Sequence, residues 1–143
     1  MSQEDLFSLP INPKIEPEYI DGKIIPFLNK HKHLIYDLYF TTRMPPFMQD
    51  AMGDVFRGTS DAQAAVKNAF YIRDKTGLPL SATFNNIWVK PDQKNLEEFI
   101  TNFKFLYDNG VRIATIPHTS WIMTGQIQKE YPELYIKNTI LRE

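Results

Sequence analysis

The chain has 143 residues, 43% hydrophobic and 23% charged, with a formal net charge of −1. That suffices for one sizeable core and leaves no charge imbalance of the kind that marks a nucleic-acid or anionic-membrane partner. Cysteine is absent, which excludes disulfides, thiolate nucleophiles, cysteine-ligated zinc and iron–sulfur clusters from these residues, so a metal would need His, Asp or Glu.

No apolar run is long enough to span a membrane, and the N-terminus (Ser2, Gln3, Glu4, Asp5) is polar rather than a basic-then-apolar signal. A cytoplasmic location is expected, with a small polar or peptide partner. Residues 1–22 carry Pro10, Pro13 and Pro17 without helical or alternating periodicity and read as an extended arm, in which Leu6, Phe7, Leu9 and Ile11 either pin the arm beneath a barrel or fray. Residues 23–143 read as one βα domain. A short helix is expected from Ile24 to Lys32, with Pro26 tolerated only in its first turn.

Leu34 to Thr41 (LIYDLYFT) is the first expected strand, apolar and aromatic enough to suggest burial on both faces. Pro79 to Asn85, Val111 to Pro117 and Leu134 to Leu141 are of the same type. The intervening helices are well punctuated. Ser60 and Gln63 have capping-box spacing, Ala62, Ala65, Val66, Ala69 and Phe70 follow at helical intervals, and Gly77 stands just past the end. In the next helix Leu96, Phe99, Ile100, Phe103, Leu106 and Tyr107 form one apolar face, Glu97, Glu98, Lys104 and Asp108 lie off it, and Gly110 closes it. Thr119 or Ser120 would cap a third helix running to about Glu130, ended by Pro132. Repeated βα units predict parallel strands with right-handed crossovers, which both a doubly wound sheet and a barrel satisfy.

From Leu78 onward the chain resembles the N-terminal barrel of the collagenase-like peptidases. Asn85 and Asn86 end one strand, Gly110 and Val111 open the next, and Leu134 to Ile136 follow a short helix, as in that family's layout. The resemblance implies an α/β fold in which parallel βα units form a partial, half TIM-barrel-like sheet of about four strands with three to four helices, since a closed barrel needs roughly 250 residues. It also brings in protein degradation and RNA-base hydroxylation as family activities, neither transferable residue by residue. The chain departs from the family in having Tyr36, Asp37, Leu38 and Tyr39 where a Gly-Ala-Asp-Ala-Val-Tyr strand is usual, and Pro117-His118 where an Asp-Pro-Gly-like turn is usual.

In parallel βα proteins function gathers at the C-terminal ends of strands, and four loci fall there. The long loop from Thr41 to Gly58 offers Arg43 as an anion clamp and Gln49, Asp50 and Asp54 for substrate or cation. Alternatively Met44, Pro45, Pro46, Phe47, Met48 and Phe56 make it a lid or subunit contact. Asn85, Asn86 and Trp88 supply uncharged donors, acceptors and a flat apolar surface for a substrate, or simply a tight turn. His118, next to a helix N-terminus, is the tentative catalytic residue, as base, donor or ligand in its neutral form, or a hydrogen-bonded structural histidine. Asn138 is expected to face inward from the last strand, with Lys137 and Thr139 on the opposite face and Arg142 beyond it.

His31 and His33 precede the first expected strand and belong to the opposite end, while Asp37 is either a buried mid-strand carboxylate or a helix-facing acceptor. No phosphate cradle, nucleophile elbow, paired-carboxylate spacing or HExxH occurs. The cofactor is left unknown. A half-barrel would expose two sheet edges and an apolar inner face, so self-association or a complementary polypeptide is expected. The two functional expectations are the N-terminal portion of a barrel enzyme with a polar site around Arg43, Asn85, Asn86, His118 and Asn138, and a non-catalytic assembly module.

Overall fold

A computed structural model describes residues 6–11, 15–48 and 59–138, leaving out the side chains of 59–63. Gln49, Asp50, Asp54, Phe56, Thr139 and Arg142, together with the Ser60/Gln63 capping box, therefore lie outside the description. Five strands, β1 (Phe7–Pro10), β2 (Ile35–Thr41), β3 (Leu80–Thr83), β4 (Ile113–Ile116) and β5 (Tyr135–Asn138), form one sheet in the order β1-β2-β3-β4-β5. Every neighbouring pair is parallel. The helices between them are α1 (Pro17–Tyr19), a π-helical turn at Ile20–Ile24, α2 (Ile25–Lys30), α3 (Thr59–Thr76), α4 (Gln93–Asp108), α5 (Thr119–Thr124) and α6 (Gln126–Glu130). Pro26 does sit in the first turn of α2.

Strand order equal to chain order has no switch point, so the sheet is singly wound and the doubly wound alternative is ruled out. Right-handed crossovers in such a sheet put every helix on one face. The core agrees. Leu38, Phe40, Leu80, Ala82, Ala114 and Ile116 alternate onto that face and pack with Val66, Ala69 and Ile72 of α3 and Leu96, Phe99, Phe103 and Leu106 of α4. At the C-terminal end of α4, Val111 N–H donates to Leu106 O and Gly110 N–H to Tyr107 O, both at 3.0 Å, with Gly110 at φ +93°. This is the Schellman closure that the glycine's placement announced.

Four sequence expectations are corrected. Among the described residues five strands are present rather than about four, because Phe7–Pro10, within the expected arm, pairs with β2 as an edge strand. Pro10 and the lack of alternation hid it, since proline is tolerated at an edge where its missing N–H costs nothing. The expected third helix is broken into α5 and α6 at Gly125, which adopts φ +75°. The residue at its N-cap is His118, with no side-chain cap bond, and neither Thr119 nor Ser120 fills that position. Finally, the central strands β3 and β4 are buried on both faces, as expected, but the face away from the helices is not apolar. That face carries Asp37, Tyr39, Thr41, Ser81, Thr83, Thr115 and Lys137 beside Ile113 and Tyr135, so the expected apolar inner face is mostly polar.

Candidate functional site

The polar face is built by period-two alternation. Thr41, Thr83, Thr115 and Lys137 are register partners across β2 to β5 at the C-terminal end of the sheet, with Tyr39 and Ser81 paired in the row beneath. Lys137 Nζ lies 3.5 Å from Asp37 Oδ2 and 5.2 Å from the centre of the Tyr36 ring. Asp37 is 0% exposed, whereas the Lys137 side chain is 33% exposed.

That ion pair fixes the shape of the sheet. Three strand spacings separate β2 from β5, and Asp37 sits four residues below Thr41, the register partner of Lys137 through β3 and β4. In a flat sheet the two positions would be roughly 19 Å apart, taking about 4.8 Å per strand and 3.3 Å per residue. The two side chains meet because the sheet curves, with its polar side concave. A cavity of about 230 Å³ lies in the hollow, lined by Ser8, Asp37, Tyr39, Ser81, Thr83, Thr115 and Lys137. Asp37 Oδ1 is buried without a hydrogen-bond partner.

At the strand ends, on the rim and the helix side, Phe47 of the first locus meets His118, Val89 beyond the second bonds His118, and Asn138 of the fourth bonds Thr119. His118 is 8% exposed, with its ring 4.7 Å from Trp121 and 6.1 Å from Phe47. Burial lowers its pKa from the ordinary 6.5, opposed by a backbone hydrogen bond to Val89 in the loop that follows Trp88. The neutral form is therefore favoured, as expected, although the main cause is desolvation rather than the short helix α5. Its Nε2 is buried with no partner, and His118 does not line the concave cavity.

Asn86 Oδ1 accepts from Trp88 N–H at 2.9 Å, which is the tight-turn role, and leaves the Trp88 side chain on an 85%-exposed residue. Asn85 and Arg43, both half-buried, are engaged in contacts within the chain. Asn138 donates from Nδ2 to Thr119 Oγ1 at 2.6 Å and is the register partner of Ile116, so it lies on the helix side. The inward expectation for Asn138 is thus corrected: alternation sends Lys137 inward instead. Phe47 is 2% exposed and meets Phe84, Phe99 and Trp121 edge-on or tilted, which makes it part of the core rather than a subunit contact. His31 packs against Phe27 at 4.6 Å.

Sequence reasoning missed Lys137, Ser81, Thr83 and Thr115, and weighed Asp37 without its partner. The signal was present most clearly in β2 and β3, where Asp37, Thr41, Ser81 and Thr83 share one alternating face of otherwise apolar strands. Among the described residues no group of three or more His, Asp or Glu could hold a metal ion, and no helix is long and apolar enough to cross a membrane. No family model matches the chain, and no curated protein matches it.

Proposed function

We propose that this chain forms the N-terminal part of a βα-barrel enzyme, similar in layout to the collagenase-like peptidases, that binds a small polar substrate on its concave face. The observation that carries this reading is the contact of Asp37 with Lys137 across a singly wound parallel sheet, which makes the polar face the inside of a curve. Parallel βα proteins bind their ligands at the C-terminal ends of strands, and the row Thr41, Thr83, Thr115 and Lys137 stands there. Lys137 and Asp37 are its reacting or substrate-orienting groups. His118 supports the rim as a neutral, enclosed imidazole, and the resemblance contributes architecture rather than a reaction.

The same reading calls for a partner. Among the described residues β1 and β5 each have one unpaired edge. Beside β1, an apolar groove of about 580 Å³ is lined by Leu9, Ile11, Ile15, Tyr19, Ile24 and Phe27, where a following strand and its helix would pack. Further strands, from a second copy or a complementary polypeptide, would close the sheet. Light scattering on the chain, with circular dichroism to confirm folding, tests this. A folded dimer is the expected result for the isolated chain, and a folded monomer with both edges bare would overturn the half-barrel reading.

A further inference from the structure

The concave cavity holds one feature that the fold does not use: Asp37 Oδ1, on a residue with no exposure, has no donor. A sealed carboxylate oxygen loses its hydration without compensation, so a ligand that brings it a donor gains more there than at an exposed site. The rest of the lining decides which ligand. A free cation is disfavoured because Lys137 Nζ is 3.5 Å from the same carboxylate, and among the described residues no second carboxylate lines the cavity. A free anion is disfavoured by Asp37 itself. What fits a charge-balanced pair is a neutral group offering a donor to Asp37 and an acceptor to Lys137 side by side.

Among the described residues the remaining lining is the hydroxyls of Ser8, Ser81, Thr83 and Thr115, each able to donate or accept, together with Tyr39. At about 230 Å³ the space is smaller than the roughly 300–1,000 Å³ of sites for drug-sized ligands, which limits the occupant to one small ring or chain. We infer that this cavity binds a small neutral polyol of monosaccharide size. Vicinal hydroxyls bridge Asp37 and Lys137, further hydroxyls meet Thr83 and Thr115, and the C–H face rests on Tyr39. This rests on the reading of the concave face as the substrate side and names the substrate class for it.

The test is saturation-transfer NMR on the 143-residue chain with myo-inositol and D-glucose, with glycine as a zwitterionic comparison. Transfer to a polyol is expected, and affinity should weaken about tenfold or more in Asp37→Asn and measurably in Thr115→Val, which deletes a hydroxyl with little change of size. Circular dichroism confirms that each variant is folded. Should Asp37→Asn fail to fold, Thr115→Val carries the test. The Lys137 Cε resonance is followed in the same samples. No polyol transfer, transfer unaltered in the folded variants, or transfer to glycine alone overturns the inference. If that happens while Asp37→Asn still moves the Lys137 resonance, the concave-face reading survives without the polyol; a resonance indifferent to Asp37 overturns the reading as well.

Discussion

Asp37 and Lys137 differ in their access to water, and that difference sets what each contributes. Removing Lys137 leaves a carboxylate with no exposure and no counter-charge, whereas removing the charge of Asp37 leaves an ammonium that is one-third exposed and can reach solvent. Lys137→Met should therefore cost about 3 kcal/mol, the lower end for breaking a buried pair, and Asp37→Asn clearly less. Urea denaturation checks the order, and equal costs would show that Asp37 is not sealed. His118 gives a pH signature. Its folded pKa is depressed by burial, so the folded state binds fewer protons than the unfolded chain below the ordinary value. Stability should fall as pH drops below about 6.5, where the unfolded imidazole begins to protonate, and the fall should be smaller in His118→Gln. Tyr131 acts at the other extreme: burial first, then the charges of Glu130 and Asp108, raise its pKa to about 12. Above about pH 10 the unfolded phenol ionises while the folded one keeps its proton, so stability should decline there, less so in Tyr131→Phe. These environments arise from distant parts of the chain. Lys137 and Asp37 are a hundred residues apart, so the sequence shows two alternating strands but not that they meet.

At the scale of elements, helices were legible because their signals are local. The Gly77 and Gly110 stops and the apolar face of α4 could be read directly, and Asp92, which accepts from Asn95 N–H at 2.8 Å, caps that helix. The break between α5 and α6 was not, because a glycine within a helical pattern is equally compatible with continuation; its positive φ is set by how the two short helices reach the core through Trp121 and Ile127. Gly125→Ala should cost about 1 kcal/mol by thermal denaturation, since a Cβ there meets no atom within 4 Å and the cost is conformational. The composition of the first loop suits either a site or a contact, but Phe47 folds back onto the aromatic cluster. Phe47→Ala should cost about 3–5 kcal/mol in chemical denaturation, and Phe47→Glu should prevent folding instead of merely separating subunits. A folded, stable Phe47→Ala would mean that the loop does not cover the core.

For the whole molecule, the parallel βα layout was legible and the curvature was not. Periodicity gives which residues share a face, while the arc of the sheet depends on packing of α3, α4, α5 and α6 against one side, a property of all elements together. That curvature turns a row of polar side chains into a hollow and makes the reading of a substrate face possible. The most direct test uses the absence of cysteine. The double variant Asp37→Cys, Lys137→Cys has two thiols, and a short bis-methanethiosulfonate reagent can join them only if the sheet curves, because in a flat sheet they would stand roughly 19 Å apart. An intramolecular cross-link in the folded protein, seen as a single mass addition per chain with no covalent link between chains, is the predicted result. Two separate reagent adducts on the folded chain, with no cross-link within it, would contradict the concave polar face and the barrel reading built on it.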